Sequence, residues 1–184
     1  MRRSTLDQQR ELDVFLASVE RRAYRMAELA TGNKDEALDI LQDAMFKLVE
    51  RYAEKPAAEW GPLFTTILQS RIKDWYRRQQ VRSGVLGWFG NKHSDSDLIQ
   101  QAEDKQGRSP EQYMAAQQRT DELEKALRAL PVRQQQVFLL RNWEGLNVEA
   151  TARAMQISTG SVKTHYSRAL QSLRTRLGEY WEQE

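Results

Sequence analysis

Cysteine is absent from this chain, and histidine, proline and glycine are scarce, at 2, 4 and 9 of 184 residues. Without cysteine there is no disulfide and no cysteine-held metal, which fits a reducing cytoplasm. Few prolines and glycines leave long stretches without a helix breaker, so mostly helical structure is expected. No apolar run approaches the roughly eighteen residues of a membrane-spanning helix. The opening MRRSTLDQQREL has no apolar core behind its arginines and does not read as a secretory signal. One-sided charge is also missing: 28 Lys and Arg stand against 26 Asp and Glu, a net charge of +2. Any nucleic-acid surface must therefore come from local clustering.

What is present is helical periodicity. The strongest pattern is NVEATARAMQISTGSVKTHYSRALQSLRTRL, residues 147–177. Val148, Ala152 and Met155 share one face of a short helix. Ile157 follows at a turn, and Ser158 is placed to cap the next helix. Val162, Tyr166, Ala169, Leu173 and Leu177 give that helix an apolar stripe. Lys163, Thr164, Ser167 and Arg168 fall on its other side. A short-chained, cationic face of this kind suits a helix in a DNA major groove. The same spacing also serves an ordinary helical hairpin with a solvated face.

Earlier in the chain, Phe15, Leu16, Val19, Ala23, Met26, Ala27 and Ala30 form a helical stripe ending at Gly32-Asn33. A second helix, capped by Asp35, runs to about Tyr52 with Leu41, Ala44, Met45, Leu48 and Tyr52 inward. Asp39, Gln42 and Asp43 lie on its outer side. Like charges one turn apart repel slightly, so a cationic partner would give the aspartates a reason, although plain solvation is the simpler account. AEKPAAEWGP at 53–62 reads as a loop holding Trp60. A third helix follows from about Leu63 to Arg82. Its second half carries Arg71, Lys73, Arg77, Arg78 and Arg82 against Asp74, with Trp75 and Tyr76 among them. Cations interleaved with rings suit single-stranded DNA, the cations tracking phosphates and the rings stacking on bases. The helix dipole and an ordinary core explain the same residues equally well.

Residues 83–118 read as a linker, with GRSP at 107–110 as a second break and a weak helix running from Ser109 into the next domain. Trp88 and Phe89 are unexplained there, and His93 is a poor metal candidate. From about Thr120, Leu123, Ala126, Leu127 and Leu130 mark another helix. Pro131 ends it and starts the next, which carries Val137 to Leu140. The expected fold is all-α: two small helical domains, 1–82 and 119–184, joined by a flexible linker at 83–118. The C-terminal domain is a four-helix unit ending in a helix-turn-helix.

Four stretches, taken in order, carry a resemblance: ALDILQDAMFKL (37–48), PLFTTILQSRIKDWYRR (62–78), LPVRQQQVFLLRNWEGL (130–146) and the helix-turn-helix at 147–169. Together they resemble the extracytoplasmic-function (ECF) sigma factors of bacterial RNA polymerase, over nearly the whole chain. The resemblance implies a non-catalytic subunit that binds core polymerase, directs it to promoters and assists melting. It implies no cofactor, no metal and no small-molecule substrate. Asp39, Gln42 and Asp43 match the polymerase-docking motif. The N-terminal unit would hold the melted minus-ten strand, with Trp60 and Ser70 near bases, Trp75 and Tyr76 as interleaved rings, and Arg71, Lys73, Arg77 and Arg78 on the backbone. The C-terminal unit would read the minus-thirty-five duplex through Lys163, Thr164, Ser167 and Arg168, with Arg153 and Arg174 on phosphates. An anti-sigma factor is a further implied partner, and the place of action is the cytoplasm, with tethering to the inner membrane by such a factor as an option.

The chain departs from the family pattern at Leu38, Ser70, Thr151 and Gln156. At Gln156, where the family usually has glycine, the turn would need either a positive φ or a slightly altered form. Two rival classes fit parts of the sequence: a stand-alone helix-turn-helix regulator, and a nuclease holding Mg²⁺ on Asp39 and Asp43.

Overall fold

The computed structural model describes residues 5–85 and 110–181. Trp88, Phe89 and His93 lie outside the described residues. Within them the chain is all helical: α1 (Thr5–Thr31), α2 (Lys34–Tyr52), α3 (Ala57–Val85), α4 (Pro110–Arg128), α5 (Val132–Asn142), α6 (Val148–Met155) and α7 (Thr159–Trp181).

Local chemistry sets the boundaries. Gly32 ends α1 with φ 66°, a left-handed conformation that glycine takes without a Cβ clash. The cap of α2 is Asn33, not Asp35: the Asn33 Oδ1 accepts from the Asp35 and Glu36 amides at 2.9 and 3.1 Å. Asp35 then lies in the first turn, where its charge favours the helix dipole. Pro131 precedes α5 with ψ 136°, so it breaks one helix and opens the next. Asn147 caps α6 through the Ala150 amide at 2.7 Å, and Ser158 caps α7 through the Ser161 amide at 3.1 Å. Gln156 takes φ 56° between them, the first of the two options the resemblance left open.

Two expected boundaries are corrected. The loop after α2 ends at Pro56, because α3 begins at Ala57 and includes Trp60 and Pro62. Burial drives this: Trp60 is 1% exposed, and its indole N–H donates to the Tyr52 carbonyl at 3.0 Å. Folding Trp60 onto α2 starts the helix before the proline. At its other end α3 continues to Val85, past the expected Arg82, while α4 starts at Pro110, beside the weak helix expected from Ser109.

The core begins with α1 lying along α2 and both against α3. Phe15 meets Trp60 and Phe64 at ring separations of 5.9 and 6.2 Å. Leu41, Ala44 and Leu48 of α2 are buried there, as their spacing requires. On the other side of the molecule α5, α6 and α7 enclose Val137, Ala152 and Val162. The two groups of helices are not separate. Apolar residues from α1 to α3 join Leu130, Leu139, Leu140 and Ala154 in one cluster, with α6 seated on α3.

Candidate nucleic-acid and polymerase interfaces

Helix α7 presents the face its sequence spells out. Val162, Ala169, Leu173 and Leu177 are buried, while Lys163, Thr164, Ser167 and Arg168 are exposed. Tyr166 fixes the helix against α5. It stacks on Phe138 at 6.3 Å, takes the Arg141 guanidinium over its ring at 5.6 Å, and donates its hydroxyl to Asn142 at 3.3 Å. Thr164 returns its hydroxyl to the Gly160 carbonyl at 3.0 Å. Arg153 on α6 and Arg174 on α7 are exposed, at positions open to phosphates. His165 sits behind this face. Burial, then the charges of Arg133 and Arg168, hold its pKa below the ordinary value. It is therefore neutral at pH 7, and its Nδ1 is buried without a protein hydrogen-bond partner.

Helix α3 is more divided than its sequence suggests. The expectation that puts Trp60 near captured bases and Trp75 among rings free to stack is corrected. Trp60 is a core residue, and Trp75 is 9% exposed with its Nε1 donating to Glu36 at 2.8 Å. Tyr76, edge-on to Trp75 at 5.8 Å, keeps a half-exposed ring, and Ser70 is likewise half-exposed. The cations separate into two rows. Arg71, Arg78 and Arg82 line a hollow with Glu36, Asp39 and Asp43 of α2. Lys73 and Arg77 line a second cleft, whose far wall is Arg133, Gln156 and His165. The Arg71 Nε lies 2.8 Å from the Asp43 Oδ2, but without the N–H alignment of a hydrogen bond. The contact is a partly exposed ion pair, half-buried on the Arg71 side and open to solvent on the Asp43 side, so solvent screens much of it.

Asp39, Gln42 and Asp43 are all exposed on α2, as expected. Arg71 already supplies Asp43 with a counter-charge, which leaves the magnesium reading without support. Among the described residues there is no group of three or more His, Cys, Asp or Glu placed to hold a metal ion. Sequence reasoning missed what surrounds the acids: Leu38, Phe46 and Val49 are exposed at 44%, 66% and 43%. The signal was available. Residues 38, 42, 46 and 49 share one helical face, off the stripe that enters the core. An exposed apolar strip rimmed by acids is the composition of a protein-docking surface.

A helix-turn-helix with an exposed cationic face, joined to a helical unit with an acid-rimmed apolar strip and a basic helix, has the composition of a protein that meets both nucleic acid and another protein. Comparison with known proteins gives the family. Residues 14–82 match the family described as Sigma-70 region 2, and residues 120–173 match Sigma-70, region 4. The chain belongs to the sigma-70 family, in its ECF group. It is 29% identical over 157 residues to the ECF RNA polymerase sigma factor SigX of Bacillus subtilis, covering 82% of this chain and 75% of that one. It is 27% identical over 168 residues to the RNA polymerase sigma-E factor of Streptomyces coelicolor, covering 91% and 86%. Among solved structures, the sigma factor RpoE from Bartonella quintana, in complex with the anti-sigma factor NepR, shares the fold. That match has a TM-score of 0.62 at 23% identity, over 94% of this chain and 97% of that one. The protein is thus an alternative sigma factor: a non-catalytic subunit that directs RNA polymerase to promoters. Among the described residues no helix is long and apolar enough to cross a membrane.

Proposed function

We propose that three surfaces divide the work of promoter recognition. The outer face of α2 docks on core polymerase: Asp39, Gln42 and Asp43 supply charge and polar contacts, and Leu38, Phe46 and Val49 supply burial. Helix α7 enters the major groove at the minus-thirty-five element, with Lys163, Thr164, Ser167 and Arg168 toward base edges and Arg153 and Arg174 on phosphates. Helix α3 holds the opened minus-ten strand. Ser70 and Tyr76 approach bases, and Arg71, Lys73, Arg77 and Arg78 follow the backbone. Opening costs about 1.4 kcal/mol per base-pair step, and one stacked base returns about 1–3 kcal/mol. With Trp60 and Trp75 in the core, α3 cannot meet that cost by stacking alone. Its cations, and polymerase, must contribute the rest.

The observation that carries this reading is the exposure of both sets of polar residues, the acids with an apolar strip on α2 and the cations on α7. A stand-alone regulator would not need the first. The cytoplasm is the place of action. An anti-sigma factor is a further partner, a reading supported by the neighbour crystallised with one. Run-off transcription with purified core polymerase on a genomic promoter library tests the whole. Discrete start sites that depend on this protein are expected, and unchanged initiation by core alone would overturn the reading.

A further inference from the structure

The cleft beside Lys73 and Arg77 differs in charge from the rest of the surface. It encloses about 530 Å³, within the range of about 300–1,000 Å³ typical of small-molecule sites. Lys73 and Arg77 of α3 and Arg133 of α5 line it, and no Asp or Glu does. The hollow beside α2 shows the contrast, because its three arginines meet three acids, Glu36, Asp39 and Asp43. The chain as a whole is nearly balanced, with 28 cations against 26 acids. Three cations around one cavity are therefore a local excess.

That excess is uncompensated within the protein. No ion pair among the described residues engages Lys73, Arg77 or Arg133. Nearby His165 feels it: burial, then the charges of Arg133 and Arg168, keep its pKa low. The start of α5 adds to the field. Pro131 gives its first amides no side-chain cap, so the positive end of the helix dipole opens on the cleft.

The rest of the wall narrows the ligand. Tyr76 offers a half-exposed ring, and Val132, Met155 and Ile157 offer half-buried apolar surface. Gln69 and Gln136 line the deep side at 5% and 1% exposure, and their amides are already engaged. The Gln69 Nε2 donates to the Gln136 Oε1 at 2.9 Å, and the Gln136 Nε2 to the Gln135 Oε1 at 2.9 Å. A single phosphate would meet the cations but leave the ring and apolar wall uncovered. A fatty acid would cover the apolar wall but bring one charge to three cations. A ligand that answers both has several negative charges close together and a flat ring.

We propose that this cleft binds a free purine nucleoside polyphosphate. The phosphates lie against Lys73, Arg77 and Arg133, and the base stacks on Tyr76. No carboxylate is present in the wall to hold a metal ion between protein and phosphates. The site itself does not rest on the promoter-reading function above, but its consequence does. Lys73, Tyr76 and Arg77 are the residues assigned to the opened strand, so nucleotide and strand exclude one another.

Isothermal titration calorimetry on the full chain, without polymerase or DNA, tests the site with GTP, guanosine and inorganic triphosphate as separate probes. GTP should bind at one site, more tightly than either fragment. Arg133→Glu, at an exposed position, should weaken GTP and triphosphate about tenfold or more, since a charged hydrogen bond is replaced by repulsion. Tyr76→Ala should weaken GTP about fivefold or more, the scale of one stacked base, and leave triphosphate unchanged. Arg21→Glu makes the same charge change at an exposed position outside the cleft, and should alter GTP affinity by less than about twofold. GTP should also shift the NMR ring resonances of His165, one of 2 histidines in the chain. Should Tyr76→Ala unfold, Arg133→Glu and the His165 resonances decide. Absence of GTP binding, triphosphate binding as tightly as GTP, equal losses in Arg133→Glu and Arg21→Glu, or unmoved His165 resonances would overturn the site. A chain that binds GTP but fails in run-off transcription keeps the site and loses the promoter-reading function. A chain that initiates but does not bind GTP does the reverse.

Discussion

Helices α7 and α3 both carry polar, cationic sequence over an apolar stripe, yet the structure uses them differently. Helix α7 lies at the edge of its group. Its inward stripe is buried, and Lys163, Thr164, Ser167 and Arg168 face outward where their spacing puts them. Helix α3 is covered by α1 and α2, and by α6 from another direction. Its tryptophans are consumed by packing, and its cations are split between an acidic wall and a cleft. A helix buried on one side can be read from periodicity, whereas a helix buried on several cannot. Aromatic residues are the first to be misassigned there, because ring stacking on a base and ring burial in a core require the same residue.

The sharpest way to break this comparison is Trp60→Ala. As a core residue it should cost about 3–5 kcal/mol in chemical denaturation. A strand-stacking residue would leave stability unchanged and lose only promoter opening. On α7, Arg168→Ala should weaken binding to the upstream duplex by about 1–3 kcal/mol and relax sequence preference at one position. Arg174→Ala should weaken all duplexes alike and lower the salt slope by about one. Fluorescence anisotropy over a salt series separates the two.

A smaller effect belongs to the turn between α6 and α7. Gln156 holds φ 56°, so Gln156→Gly removes a left-handed strain of about 1 kcal/mol, partly offset by glycine's backbone entropy. A modest rise in Tm without change in DNA affinity is expected. The smallest effect is that of His165. Its folded pKa is depressed, so the unfolded chain takes up the proton first as pH falls. Its effect on stability is absent well above the ordinary histidine pKa of about 6.5 and becomes a growing loss below it. His165→Gln should flatten that decline in thermal melts between about pH 7.5 and 5.5, either side of the ordinary value.

Much of the molecule could be read from the sequence through local rules. Gly32, Pro131 and Ser158 punctuate helices by backbone chemistry that needs no tertiary context, whereas the positive φ of Gln156 was one of two options implied by the family's usual glycine there. What could not be read depends on distant partners. Trp60 pulls α3 forward over Pro62 because Tyr52 lies beneath it. Gln69, Gln135 and Gln136 look like surface residues until α1, α3 and α5 meet around them. Leu38, Phe46 and Val49 belong to neither case, since a second stripe on α2 was visible in their spacing.

The central claim is that polymerase and the upstream duplex are held by different faces. Asp39→Lys with Asp43→Lys, and separately Arg168→Ala, should each be measured against core polymerase and against minus-thirty-five duplex. The double charge reversal is expected to cost about 2 kcal/mol or more in polymerase affinity, the scale of an interface hot spot, and to spare duplex binding. Arg168→Ala is expected to do the reverse. Equal loss of both affinities in either variant would contradict the account.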